Sequence, residues 1–355
     1  MKNSLKLIAA LSVSAVLVQC TGSDTPPAST RMMEPAEHTR IVNEPGSVVQ
    51  AVDVWDIPFE TARSRDPFAA ADGRVFFAGQ QSHYIGYLYP DQNMAGFYPL
   101  EDGAGPHTVV VHSSDGQLWY AGNRAEHVGK MDPDTGEITK FMMEDPFARD
   151  PHTFAIDRNG NIWFTAQGGN GVGHFNRATG ESRIIPVPTE RSRPYGIRMA
   201  PDGLTPWIGM NGTNKIATVN PETYELTEIT IPRESNRIRR LDVVSDGTVW
   251  YGDFASGTIG RYNPADGSFK EWQMPTGPDS YAYALLADDK DRIWISTTGK
   301  SPNYLVGFDT RTEQFVAQQP LDFAIGSIRH MMYDVTTRSM WFGTDVGKIA
   351  RLVLD

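Results

Sequence analysis

Seven polar or aromatic side chains stand at one recurring position in this chain: Arg65, His107, His152, Tyr195, Arg239, Tyr283 and His330. Each lies eleven or twelve residues before an aromatic marker: Phe76, Trp119, Trp163, Trp207, Trp250, Trp294 or Trp341. Val or Thr would pack as well at a purely structural position, so the set reads as a ligand-facing surface. Imidazole exchanges a proton near neutrality, which makes His107, His152 and His330 the candidate general bases. A guanidinium holds a carboxylate or a developing oxyanion, which gives Arg239 a catalytic place with Arg240 beside it. Arg65, Tyr195, Tyr283 and Arg240 form the candidate substrate-binding wall. His38, His83, His112, His127 and His174 have no repeated counterpart and read as solvated or locally bonded.

The elements that must position these residues follow from the markers. Trp119, Trp163, Trp207, Trp250, Trp294 and Trp341 are spaced by 44, 44, 43, 44 and 47 residues, and Phe76 stands 43 before the first. Each unit opens with a short apolar stretch such as Thr153-Phe154-Ala155-Ile156. Next comes a tight turn such as Asp115-Gly116 or Asn159-Gly160, whose residues supply the positive φ of a two-residue hairpin. The Trp strand follows, then a third strand such as Thr258-Ile259-Gly260-Arg261-Tyr262. A last strand, Phe269 to Met274, stops at Pro275.

Four short antiparallel strands in such a unit, repeated seven times, predict an all-β, seven-bladed β-propeller over residues 51–355. After Trp341 only one more strand fits, Lys348 to Val353. The N-terminal Val54-Trp55-Asp56-Ile57-Pro58 matches Glu271-Trp272-Gln273-Met274-Pro275 and is expected to close the ring.

Composition narrows the function classes. A chain of 355 residues with 40% hydrophobic and 21% charged residues can bury a core. Its formal charge of −11 argues against nucleic acid as the partner. The single cysteine, Cys20, excludes an internal disulfide and CxxC metal or redox chemistry. Lys2 and Lys6 precede an apolar run from Leu7 to Val18, the pattern of a secretory signal too short to span a bilayer comfortably. Cys20 just after it resembles a bacterial lipoprotein cleavage site, with Gln19 replacing the usual small residue. The expected organisation is therefore a signal peptide at 1–19, a lipidated Cys20 with a flexible tether to residue 50, and the propeller. The expected location is periplasmic or cell-envelope, with membrane contact through lipid only. The expected state is a monomer with a small-molecule or peptide ligand in its channel. Gly168 to Gly173 is glycine-rich but opens no helix, so it is no nucleotide loop.

The repeat Pro-His, Ile-Trp-Phe, Val-Gly resembles that of the virginiamycin B lyase (streptogramin lyase) family. Pro106-His107, Leu118-Trp119-Tyr120 and Val128-Gly129-Lys130 carry the likeness, with Pro151-His152, Ile162-Trp163-Phe164-Thr165 and Val172-Gly173, and Val249-Trp250-Tyr251 and Ile259-Gly260-Arg261. The resemblance implies a magnesium-dependent carbon–oxygen lyase that opens an ester-linked cyclic depsipeptide by β-elimination. It also implies a Glu three residues after the aromatic marker. Those positions hold Gly79, Gly122, Ala166, Met210, Asp253, Thr297 and Thr344, so only Asp253 keeps a carboxylate, while Asp345 is displaced by one. On this reading Asp253 and Asn211 are the candidate metal ligands. Three histidines without Glu would suit a transition metal if they converge. Two alternatives stand beside the lyase. One is a non-catalytic propeller that holds an acidic or peptide ligand at a basic, aromatic channel mouth. The other is a metal-dependent lactone hydrolase.

Overall fold

The computed structural model describes residues 33–59, 63–322 and 326–355. Their strands form seven antiparallel sheets, the blades of a β-propeller. The inner strands are, in order, Ser64–Ala69, Pro106–Val111, Pro151–Ile156, Pro194–Met199, Ile238–Val243, Tyr281–Ala287 and Met331–Asp334. In blades 2 to 6 three more strands follow in chain order, each paired to the one before. The helices among the described residues are two three-residue 3-10 turns, Pro90–Gln92 and Pro146–Ala148, and none is long and apolar enough to cross a membrane.

The marker tryptophans seal one blade to the next. Trp119 meets Phe175 of blade 3 at 5.6 Å between ring centroids, Trp163 meets Tyr224 of blade 4 at 5.9 Å, and Trp250 meets Phe308 of blade 6 at 5.4 Å. All three tryptophans are fully buried. In blades 2, 3 and 5 the residue after the Trp is aromatic and needs room inside its own sheet, and a glycine one strand over provides it. A Cβ on Gly173 would run into the Phe164 ring, and one on Gly260 into the Tyr251 ring. This is the physical content of the repeated Val-Gly and Ile-Gly pairs.

The ring closes as expected. Val49–Asp56 lies antiparallel to Lys348–Leu354, with Trp55 opposite Ile349 and Val54 opposite Ala350. Blade 7 thus takes its fourth strand from the N-terminal side.

The expected tether to residue 50 is corrected. Glu37–Val42 pairs with Val49–Asp56 as a fifth strand of blade 7, and Glu34–Pro35 pairs with Met94 and Ala95 on blade 1. All six side chains of Glu37–Val42 are exposed, so no apolar pattern announces the strand. A polar cluster holds it instead. His38 and Arg40 reach the buried Asp53 at 3.0 and 3.1 Å, Arg351 reaches it at 2.8 Å, and the His38 ring stacks on Trp55. The signal segment and Cys20 lie outside the described residues.

Candidate functional site

Each of the first six inner strands breaks register with its neighbour just after entering the sheet. The break falls between Pro106 and Val109, between Pro151 and Phe154, and at the matching places in blades 1, 4, 5 and 6. A bulge of this kind re-aims side chains that a regular strand would alternate between faces. In blades 1 and 5 both residues of a consecutive pair, Arg65 with Asp66 and Arg239 with Arg240, turn inward, in two tiers.

The upper tier holds Arg65, His107, His152, Tyr195, Arg239 and Tyr283, as the spacing predicts. All six line a cavity of about 370 Å³ at the channel mouth. The seventh member is corrected. Met331 pairs with Phe342 as Leu241 pairs with Tyr251, which puts Arg329, not His330, at the position of Arg239. The connection from the blade 7 inner strand to its partner is one residue longer than in blade 5, so counting back eleven from Trp341 stops one residue short. Arg329 lines the mouth.

Contacts run round the upper tier. The His107 and His152 rings lie 3.6 Å apart and His152 lies 4.1 Å from Tyr195, centroid to centroid. The Tyr195 and Tyr283 hydroxyls are 2.8 Å apart, and Arg329 Nη1 donates to the Tyr283 hydroxyl at 2.8 Å. Arg239 stacks on Phe254 at 3.6 Å and on Tyr283 at 4.5 Å, and its Nε is buried with no hydrogen-bond partner among the described residues.

Beneath lies the lower tier of Asp66, Arg240 and His330. Asp66 accepts the Thr108 hydroxyl at 2.7 Å and lies 3.6 Å from Arg65 Nε and 3.8 Å from Arg240 Nη2. Arg240 donates to Thr153 Oγ1 at 2.9 Å and to the Arg329 carbonyl at 3.1 Å. Neither nitrogen of the buried His330 ring has a hydrogen-bond partner among the described residues. Arg240 and His330 therefore sit under the mouth rather than in it.

Electrostatics reassign the expected roles. Burial, with Arg65 next, lowers His107 to about 3, and burial with His107 and Arg65 holds His152 well below the usual histidine value. His330 is lowered likewise, by burial first. Such rings are neutral at pH 7 and accept a proton poorly, so the site does not support them as general bases. Burial opposes the charge of Asp66, yet its neighbours, His330 and His107 first and Arg65 after them, keep its carboxyl well below the ordinary range. Burial alone would raise Tyr283, but Arg239, Arg329 and Arg65 bring it below the ordinary tyrosine value. Tyr195 is raised by burial and by Tyr283.

A further ring of mouth residues escaped the spacing argument. Gln80, Asn123, Gln167 and Asn211 line the cavity from the position four after each marker. Asp345 holds the same position in blade 7. It is gripped by Arg329 at 2.8 and 2.9 Å and approached by Arg63 at 3.4 Å. Asp253 stands at position three, which faces the other way, because successive strand residues alternate. It is fully buried and accepts the Arg237 and Ala255 amides at 2.8 and 2.9 Å and the Ser256 hydroxyl. The expected metal pair of Asp253 and Asn211 therefore does not converge. The lactone-hydrolase reading leaned on the same pair and loses its support.

Asp150, just before Pro151, was also missed. Burial pushes it up to about 6, against a hydrogen bond from Asn123. The Asp-Pro-His run was the signal available.

Residues 68–352 match the model of the Virginiamycin B lyase family. The chain belongs to that family. Selenomethionine-substituted virginiamycin B lyase from Staphylococcus aureus superposes with a TM-score of 0.76 at 22% identity, covering 86% of this chain and 99% of that one. A streptogramin B lyase structure gives 0.75 at 22% identity, covering 86% and 97%. A catalytically inactive Staphylococcus aureus virginiamycin B lyase variant with quinupristin gives 0.73 at 21%, covering 90% and 100%. No curated protein matches the sequence. At these identities the solved structures speak for the fold alone.

Magnesium, which the virginiamycin B lyase resemblance implied, does not fit the residues present. It wants several oxygen ligands, usually with a carboxylate among them. Among the described residues six arginines line this mouth against one carboxylate, Asp150, and Asp345 beside it is already paired with guanidinium. Among the described residues no group of three or more His, Cys, Asp or Glu is placed to hold a metal ion.

A larger cavity, about 550 Å³, lies at the opposite end of the blades under the turns Ala70–Arg74 and His112–Gly116. None of the upper-tier residues reaches it.

Proposed function

We propose that this family member captures an anionic ligand, a small molecule or peptide bearing a carboxylate, at the channel mouth. One observation carries the reading: Arg63, Arg65, Arg124, Arg193, Arg239 and Arg329 converge on one cavity, and among the described residues its lining holds a single carboxylate. Low-dielectric walls strengthen their field, and planar guanidinium matches a carboxylate with two parallel hydrogen bonds. Tyr195 and Tyr283 supply the apolar flank that fixes the rest of the ligand, with Phe254 packed behind Arg239. The protein acts outside the cytoplasm, anchored through Cys20. The charged leader, its apolar run and the placement of the only cysteine support that location.

The test is calorimetric titration with a short peptide acid and its C-terminal amide. The acid is expected to bind at least about ten-fold more tightly, the difference of one charge-assisted hydrogen bond. Arg239→Ala removes that preference. Equal affinity for acid and amide overturns the reading.

A second reading, carbon–oxygen lyase action, is favoured by the family membership and by the Tyr195–Tyr283 pair in the mouth. Incubation with ester-linked cyclic depsipeptides tests it. A ring-opened product of unchanged mass supports elimination, and one heavier by a water supports hydrolysis.

A further inference from the structure

The cavity at the far end of the propeller from the mouth has its own cause in the sequence. Blade 1 carries Phe76 where the later blades carry Trp, and Ala69 where Val111, Ile156 and Val243 stand in the matching register. Smaller side chains at both positions leave room between blades 7, 1 and 2. The volume, about 550 Å³, falls in the range of small-molecule sites, and Phe68, Phe76 and Trp341 give it aromatic walls.

Trp341 points to an occupant. It stacks on the outer-strand Trp55 at 5.5 Å and lies under Arg351, as Trp250 stacks on Trp272 at 5.2 Å and lies under Arg261. In that posture Trp250 Nε1 donates to the turn below its strand, to Thr248 Oγ1 at 3.0 Å, and Trp294 Nε1 does the same to Asp288 Oδ2 at 2.9 Å. Trp341 is 3% exposed, and its Nε1 has no hydrogen-bond partner among the described residues. The turn it faces, at 334–338, lines the cavity through Asp334, Thr336 and Thr337. A buried N–H without an acceptor is costly, so an oxygen supplied by a ligand is favoured there.

The charge of the rim selects the rest of the ligand. Arg74 pairs with Asp72 and Asp134, and Arg351 pairs with Asp53. Asp91 and Asp334 line the same cavity with no cation at ion-pair distance among the described residues, although Asp334 also accepts the Thr336 amide. Carboxylates beside aromatic walls suit an ammonium group on an apolar body.

We infer that this cavity is a second binding site, for an amphiphilic amine. The apolar body lies against Phe68 and Phe76, the ammonium meets Asp91 and Asp334, and an acceptor oxygen meets the Trp341 indole. Its ligand is opposite in charge to that of the mouth, with which it shares no lining residue, and it stands whatever the mouth binds.

The probe is N-(4-aminobutyl)benzamide, with N-(4-hydroxybutyl)benzamide as its neutral counterpart, titrated calorimetrically into the full-length protein. The amine is expected to bind about ten-fold more tightly, the worth of one charge-assisted hydrogen bond. Asp91→Asn with Asp334→Asn, which keeps an oxygen for the Thr336 amide, should equalise the two. The Trp341 indole N–H resonance, identified by its loss in Trp341→Phe, should move downfield with either ligand. Ala70→Leu is expected to weaken both by about ten-fold or more by filling the cavity. Larger side chains already stand at the matching turn position as Val244 and Asp288, so the fold is kept, and a thermal melt checks that. Equal affinity for amine and alcohol in the parent overturns the inference. Binding that leaves the Trp341 resonance unmoved, or that survives Ala70→Leu undiminished, overturns the site. No heat with either ligand at millimolar concentration overturns it as well. A dimer of the parent that dissociates in Ala70→Leu overturns it in favour of a second copy of the chain.

Discussion

Arg329 reaches two ways at once: one nitrogen donates to the Tyr283 hydroxyl at 2.8 Å, and its other edge holds both oxygens of Asp345. The carboxylate behind orients the cation, and the cation in front orients the phenol. Arg329→Ala is therefore expected to weaken binding of a peptide acid by about ten-fold or more, since a hydrogen bond to a charged group is worth about 1.5–3 kcal/mol. Calorimetry on the variant checks it, and unchanged affinity would move the ligand away from this side of the mouth.

Asp150 gives the mouth a pH response. Its folded value, pushed up to about 6 by burial, lies above that of the unfolded chain. Its contribution to stability is thus fully present below the ordinary aspartate value and lost as pH rises through about 6. Asp150→Asn should stabilise the fold by about 1–2 kcal/mol at pH 7 and by less at pH 4. Thermal melts at the two values decide this. In the parent protein, acid-ligand affinity should tighten from pH 7 to pH 5 as Asp150 is neutralised.

The closing blade depends on Asp53. Burial disfavours its charge, but hydrogen bonds from Arg351 and His38 outweigh that and lower its value. A lowered folded value means stability that is present above the unfolded one and lost as pH falls through the folded one. Asp53→Asn is expected to cost about 1–3 kcal/mol near neutrality, with the penalty shrinking below about pH 4. Faster amide exchange confined to Glu37–Val42 and Val49–Asp56 would locate the effect.

Packing between blades sets the largest stability changes. Trp163→Ala should cost about 3–5 kcal/mol, the usual range for removing a fully buried aromatic. Gly173→Ala should cost about 1–3 kcal/mol, because the added methyl meets the Phe164 ring inside a filled sheet. Denaturant titration measures both, and a neutral Gly173→Ala would contradict the close approach of that ring.

The blades were legible because one large residue per repeat must fill the same gap between sheets, and because Asp-Gly and Asn-Gly turns punctuate the strands. The closing strand was legible because Trp55 repeats the outer-strand pattern of Trp272. Glu37–Val42 was not, since it buries nothing and rests on backbone pairing and Asp53. In the site, the upper tier followed from spacing wherever the hairpin length held. It failed in blade 7, where one extra turn residue exchanges Arg329 for His330. The metal assignment failed for a related reason. A step from position three to position four crosses from one face of a strand to the other, so Asp253 is spent on backbone amides while Asn211 meets the cavity. That the histidines are held below their ordinary value was illegible, because it arises first from burial in the closed ring and then from charged neighbours on other blades.

The strand that completes blade 7 also sets the order in which the molecule can be finished. Lys348, whose ammonium pairs with Asp56, is made 292 residues after it. A chain emerging from the ribosome must carry one edge of Val49–Asp56, the edge that Lys348–Leu354 covers, open through the synthesis of every other blade, and the ring can lock only once the last strand is free. Loss of Lys348–Leu354 therefore bares two edges, one on Val49–Asp56 and one on Ser339–Gly343, and nascent or clipped chains are the form of this protein that should recruit holdase chaperones.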